Sequence, residues 1–216
     1  MQLNSDDGGN RKYIMVQLPE ETDENSEAYK AGYKNICEIG KERIRRAAKK
    51  IHEEKPEAKF DDGFKVFTID DTNIRWTHDE INRKDIADFD YTKGIKDDLD
   101  FMPGSKDIDV VYEIMLRQYG IPLSTPIEKL SDVSERTYIF ADAVVVCLDE
   151  DITDELIDKL AALEPTPGKY ILRDSAFGDD IEFKDKSYRR LSALIQNHLT
   201  EDEQKSKRKS FTVEFI

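Results

Sequence analysis

The sequence predicts an α/β protein. Short runs of β-branched and aromatic residues alternate with stretches of helical period, and turn residues separate them. An apolar share of 38% over 216 residues supplies enough material for a core.

Lys12 to Leu18 is the first predicted strand, entered from Gly8-Gly9-Asn10 and closed by Pro19. After an acidic linker, apolar residues recur at Tyr29, Tyr33, Ile36, Cys37, Ile44, Ala47, Ala48 and Ile51, which is one helical stripe with Ser26 placed to cap it. Pro56 stops the helix, and Gly63 precedes a second predicted strand, Phe64 to Ile69. Strand, helix and strand make a βαβ unit. From Asp70 to Pro103 acids and amides dominate, and Trp76, Phe89 and Tyr91 fall at no regular spacing, so a long excursion or linker is expected.

The second region starts with a helix capped by Asp107 and carrying Ile108, Val111, Tyr112, Met115 and Tyr119 up to Gly120. Thr137 to Phe140 and Ala143 to Leu148 flank Ala141-Asp142, a pair able to turn a hairpin. Thr153 caps a helix with Leu156, Ile157, Leu160 and Leu163, its Asp154 and Glu155 favourably placed at the positive end of the dipole. A strand at Lys169 to Leu172, a helix from about Asp185 to Leu199 and a strand at Phe211 to Phe215 complete a small α/β layer.

Charge narrows the function classes. Charged residues make up 37% and the net charge is -14, so the averaged field repels phosphate and disfavours DNA binding by this chain alone. Lys41 to Lys50 is a local basic exception. Cys37 and Cys147 each lie in an apolar run and read as reduced core thiols. His52, His78 and His198 lack ligand spacing, so no metal site is expected. No apolar run approaches the roughly 20 residues of a membrane span, and a cytoplasmic location is expected.

The run from Gly8 to Glu20, GGNRKYIMVQLPE, resembles the segment that follows the glycine-rich cofactor loop in type III restriction-modification modification subunits, which are adenine-specific DNA methyltransferases. Ser26 to Tyr33, Ile39 to Ala47 and Gly63 to Phe67 continue the match without a shift. Asp109 to Glu113, and Arg173 to Phe177 with Asp179 and Asp180, are similar to the C-terminal region of the same family. The resemblance covers nearly the whole chain. It implies a partial Rossmann-like methyltransferase sheet followed by a small C-terminal α/β domain. On this division residues 1–103 are the end of a catalytic domain, with the excursion from about residue 70, and residues 104–216 are the C-terminal domain.

The family is similar to β-class amino methyltransferases, whose Asp-Pro-Pro-Tyr motif and target-recognition region precede the cofactor loop. This sequence holds neither, and the glycine loop would lie just before Met1. The resemblance therefore implies a fragment of an adenine-N6 transferase, inactive alone, whose S-adenosylmethionine site forms only with an upstream methyltransferase half. Further implied partners are a second copy of the chain, a restriction subunit and, in the assembled enzyme, DNA.

Where such enzymes carry an acid to accept from the ribose hydroxyls, this register holds Gln17; Glu20, three residues on, can supply a carboxylate. Both can equally be plain loop residues. Arg43, Arg45, Arg46 and Lys49 form either the solvated face of an amphipathic helix or a contact for DNA or a partner chain. Ser175 has no histidine near it in sequence, so Arg173-Asp174-Ser175 reads as a local salt link and turn. Asp149, Glu150, Asp151 and Asp154 read as capping and solvation, since the glycine and spacing of a calcium loop are missing. A bare apolar edge at Lys12 to Leu18 predicts self-association, or recruitment of the upstream half. A non-catalytic assembly module is the alternative reading of the whole chain.

Overall fold

The computed structural model describes residues 1–75, 97, 100–178, 180–198 and 211–216. They form two compact units, Met1–Thr68 and Ile69–Ile216. The boundary expected near residue 104 lies inside the second unit.

In the first unit, α1 (Gln2–Asp7) ends at Gly8, whose φ of 67° is the left-handed geometry glycine adopts without steric cost. Asn4 is buried and ties the helix to the following chain, accepting from the Arg11 amide and donating to the Arg11 carbonyl, both at 3.1 Å. The single helix expected after Ser26 is instead two. Ser26 caps the short α2 (Glu27–Lys30), accepting from the Tyr29 amide at 3.1 Å. The chain then turns through Gly32 at φ 96°, and Asn35 caps α3 (Ile36–Glu54) by accepting from the Glu38 amide at 3.0 Å. A second strong cap made a second helix more favourable than one continuous run.

Neither Lys12 to Leu18 nor Phe64 to Ile69 forms a strand, which corrects the βαβ expectation. Their apolar side chains lie open to solvent: Ile14 is 94% exposed and Ile69 95%. The physical reason is that two isolated strands gain too little from pairing without a neighbouring sheet to bury their apolar faces. Only Asn4, Ala48 and Ile51 are buried in this unit, so its core is thin.

The second unit is α/β, with a mixed five-stranded sheet. After α4 (Asp107–Arg117), strands β1 (Ile127–Lys129), β2 (Thr137–Phe140) and β3 (Val144–Cys147) run as an antiparallel meander. Then α5 (Asp154–Ala161) leads to β4 (Lys169–Leu172), and α6 (Ile181–His198) precedes β5 (Thr212–Phe215). Strands β3, β4 and β5 are parallel, and the spatial order follows the chain. The 3-10 turn Asp174–Phe177 follows β4.

The expected hairpin at Ala141-Asp142 is present, with φ of 53° and 50° at the two central residues, as a type I′ turn requires. Thr153 caps α5 as expected, accepting from the Leu156 amide at 3.2 Å. Asp107 does not cap α4: Lys106 holds the cap position without a side-chain bond, and the Asp107 carboxylate is drawn to Arg136. Strand β1 is three residues long and holds one apolar residue, Ile127, too short a run to signal a strand in sequence.

Alternation along β3 sorts the two faces of the sheet. Val145 and Cys147 join Tyr170 and Leu172 against Leu156, Ile157 and Leu160 of α5 and Leu191 and Ile195 of α6. Val144 and Val146 join Ile171 against Val110, Val111, Ile114 and Met115 of α4. A strand covered on both faces reads as a continuous apolar run, which is why Ala143 to Leu148 was legible as a core strand. Part of the expected excursion is tied down in this core: Ile74 and Phe101 pair as an antiparallel bridge, and both are buried with α4. Trp76, Phe89 and Tyr91 lie outside the described residues.

Candidate functional site

In the first unit, Gln17 and Glu20 are both exposed. The Gln17 amide donates to the Leu18 carbonyl at 3.1 Å, and the Glu20 carbonyl accepts from the Ile36 amide at 3.0 Å, which seats this segment at the start of α3. A bound adenosine needs an apolar slot closed around the base as well as an acceptor at the ribose. Here Ile14 and Val16 face solvent beside an open edge. These residues by themselves do not fit S-adenosylmethionine.

The basic face of α3 is partly self-neutralised. Arg46 bonds Glu42 at 2.7 Å and approaches the Tyr33 hydroxyl at 3.3 Å. Lys41 pairs with Glu38 at 2.5 Å. Arg45 reaches Glu42 only at 4.0 Å and Lys49 reaches Glu53 only at 3.9 Å, and both side chains are largely exposed. Arg43 is exposed and makes no ion pair among the described residues.

Arg45 and Lys49 line one shallow cavity of about 600 Å³, together with Ala48, His52, Glu53 and Asp62. Positions 45, 48, 49 and 52 share one helix face because they are spaced by three and four residues. Opposite them, Phe60 stacks on His52 with ring centroids 4.9 Å apart, and Phe64 lies 5.6 Å beneath the Arg45 guanidinium. His52 Nε2 meets Asp62 Oδ2 at 2.9 Å, and this hydrogen bond holds the Asp62 carboxylate below its ordinary range. Sequence reasoning named Arg45 and Lys49 for this face and missed His52, although its position one turn beyond Lys49 was the available signal.

The second unit carries a polar cluster at the carboxyl ends of β3 and β4, the edge where α/β sheets commonly place ligands. Arg173 is fully buried. Its Nε donates to Asp100 and its Nη1 to Asp97, each at 2.5 Å, while Nη1 also reaches the Leu148 carbonyl at 3.4 Å. Its Nη2 has no hydrogen-bond partner among the described residues. The local link expected between Arg173 and Asp174 is therefore absent, and Asp174 pairs with Lys184 instead. Arg136 forks onto Asp107 at 2.6 and 2.9 Å and bonds Asp97 at 2.9 Å, which raises its pKa, chiefly through Asp107. Glu150 lies 3.4 Å from the same guanidinium. Asp97, Asp107 and Arg136 also line a second cavity of about 290 Å³, walled by the turn Phe101 to Lys106.

Chemically this cluster is an ion-paired plug. Ser175 donates to the Asp100 carboxylate, which Arg173 also holds, at 2.5 Å. Asp149 accepts from Ser134 and from the buried Cys147 thiol at 3.2 Å, and burial pushes that thiol up to about 12. Among the described residues no group of three or more His, Cys, Asp or Glu side chains could hold a metal ion, and no helix is long and apolar enough to cross a membrane. The partners of Arg173 and Arg136 were not legible in sequence, because Asp97 and Asp100 lie more than seventy residues from Arg173 with no motif joining them.

No family model matches the chain. Over 87 residues, 40% of its length, the chain is 40% identical to the type III restriction-modification enzyme StyLTI Mod subunit of Salmonella typhimurium (strain LT2), and the matched stretch spans 13% of that protein. Part of this chain is thus related in sequence to part of a Mod subunit.

Proposed function

We propose that the chain is a portion of an adenine-N6 DNA methyltransferase of the type III modification kind, which transfers the methyl group of S-adenosylmethionine and is inactive without an upstream half. The observation that carries this reading is the 40% identity over 87 residues to a Mod subunit. The sequence contains no Asp-Pro-Pro-Tyr motif. The exposure of Ile14 and Val16 in Lys12 to Leu18, and of Ile69 in Phe64 to Ile69, supports a reading in which a sheet elsewhere covers these segments. In this reading the upstream half supplies the glycine loop and the apolar slot, the two segments join a Rossmann-like sheet, and Gln17 and Glu20 line the ribose edge. The α/β unit from Ile69 serves subunit contacts with a second copy and a restriction subunit. That an assembly role is its whole task is the second reading, supported by a core that is closed on both sheet faces.

Calorimetric titration of S-adenosylmethionine tests the proposal. The 216-residue chain alone is expected to show no heat of binding, and the chain co-expressed with an upstream half carrying the glycine loop is expected to bind. Binding by the chain alone would overturn this assignment of the cofactor site. No binding with the upstream half present would leave the assembly reading.

A further inference from the structure

The five-stranded sheet ends in two edges of different character. Strand β1 is three residues long, follows Pro126 and exposes Glu128 and Lys129, features that blunt an edge against pairing with another chain. Strand β5, at the other end, lacks that protection. Phe211-Thr212-Val213-Glu214-Phe215 holds no proline, glycine, lysine or arginine, and among the described residues no strand lies beyond it.

Register fixes which backbone groups this edge presents. Strand β5 is parallel to β4, with Lys169 opposite Thr212 and Ile171 opposite Glu214. The Thr212 amide donates to the Gly168 carbonyl at 3.0 Å and the Ile216 amide to the Leu172 carbonyl at 3.1 Å, so the even-numbered residues bond the sheet. Successive residues of a strand turn their N–H and C=O groups to opposite sides, and those of Phe211, Val213 and Phe215 therefore point away from β4.

Side chains sort by face. Phe211, Val213 and Phe215 pack on the α5 and α6 core yet stay partly open, while Thr212 and Glu214 are exposed on the other face. About Val213 the strand reads alike in both directions, phenylalanine at each end, with only Thr212 and Glu214 exchanged. A twofold contact brings one patch against itself, so a strand of this pattern is matched to its own copy.

We propose that β5 is the edge at which two copies of the chain join, antiparallel about Val213, into one continuous sheet. This contact rests on the reading of the unit from Ile69 as a module for subunit contacts, and gives that module its surface. Val213 meets Val213 of the second copy in a pair that exchanges both backbone bonds, and Phe211 meets Phe215. Thr212 falls opposite Glu214 of the second copy. There its hydroxyl can donate to a carboxylate that accepts from Lys169 and Tyr119 at 2.6 Å and still has lone pairs to offer. An axis at Glu214 would instead set that carboxylate against its own copy, which is unfavourable.

The test is sedimentation equilibrium of the full chain from about 1 to about 300 μM, in about 200 mM salt to screen the repulsion between two chains of net charge -14. A reversible dimer is expected. Thr212→Lys places an ammonium opposite Glu214 of the second copy and is expected to lower the Kd about threefold or more, and Thr212→Glu to raise it by as much, since each change acts twice at the axis. Thr212 is exposed, so neither change threatens the fold. Val213→Pro removes the outward N–H and leaves the bonds to β4 in place; it is expected to raise the Kd at least roughly tenfold with the circular dichroism spectrum kept. If that variant fails to fold, the opposed shifts of the two Thr212 variants decide. A monomer throughout the range, or a dimer that the Thr212 variants do not move in opposite directions, would overturn the proposal. A dimer dispersed instead by Ile14→Asp with Val16→Asp would assign self-association to the bare segment Lys12 to Leu18. A monomer whose cofactor binding is restored by the upstream half overturns only the edge. An edge dimer without cofactor restoration would sink the methyltransferase reading and keep the edge.

Discussion

Replacing Arg173 by methionine removes a guanidinium with no exposure to water and leaves two carboxylates in unequal surroundings. The Asp97 side chain is 37% exposed and keeps Arg136 as a partner, so water and that arginine can carry its charge. The Asp100 side chain is 8% exposed and, of its side-chain partners among the described residues, would retain the Ser175 hydroxyl. Breaking a buried ion pair from one side costs about 3–5 kcal/mol, because the remaining charge is stranded in a low dielectric. For a unit of this size that lowers the melting temperature by roughly 10 °C. Thermal and urea unfolding followed by circular dichroism would measure it. Adding Asp100→Asn to Arg173→Met is expected to recover at least half of the loss, since an amide can still accept from Ser175 without carrying charge. Asp97→Asn alone is expected to cost under about 1 kcal/mol. A loss below about 1 kcal/mol for Arg173→Met, or no recovery in the double variant, would refute the reading of Arg173 and Asp100 as a buried pair whose breaking strands a charge.

Glu214 of β5 accepts from Lys169 and from the Tyr119 hydroxyl, both at 2.6 Å, and these bonds, Lys169 first, hold its carboxylate below the ordinary value near 4.5. Its contribution is therefore fully present above pH 4.5 and is lost as pH falls through the lower folded value, so Glu214→Gln should flatten the acid side of the urea-midpoint profile. Cys147 is buried with its thiol pushed up to about 12, whereas Cys37 is partly exposed, so a thiol reagent at pH 8 should label one cysteine rapidly in the native chain and the second only in denaturant. Ala141→Gly is expected to stabilise the hairpin by about 0.5–1 kcal/mol, because relief of the left-handed strain at φ 53° outweighs the added freedom of the unfolded chain, and a lower urea midpoint would refute this.

The helices and most strands of the second unit were legible because their cues are local. Thr153 precedes an apolar stripe, Ala141-Asp142 sits between two β-branched runs, and Ala143 to Leu148 is apolar at every position. The same local rules misled in the first unit. Lys12 to Leu18 has the composition of a buried strand, yet a strand needs a neighbour to take its hydrogen bonds and cover its apolar faces, and Ile14 and Val16 stand in solvent. The helical stripe from Tyr29 to Ile51 was right in period but was divided by Gly32 and recapped at Asn35.

Sequence alone therefore determined the alternation of helix and strand in the second unit, the core faces of α5 and β3, Val111 and Met115 but not Val110 and Ile114 on α4, and the basic face of α3, since each depends on spacing along a single element. Tertiary structure decided which charges meet. It buried Arg173 against Asp97 and Asp100, drew Asp107 to Arg136, and joined Arg45 and Lys49 to His52, Glu53 and Asp62 around one cavity. Ion pairs and cavities depend on separation in space, and residues far apart in the chain come within a few ångströms only when the fold brings them there.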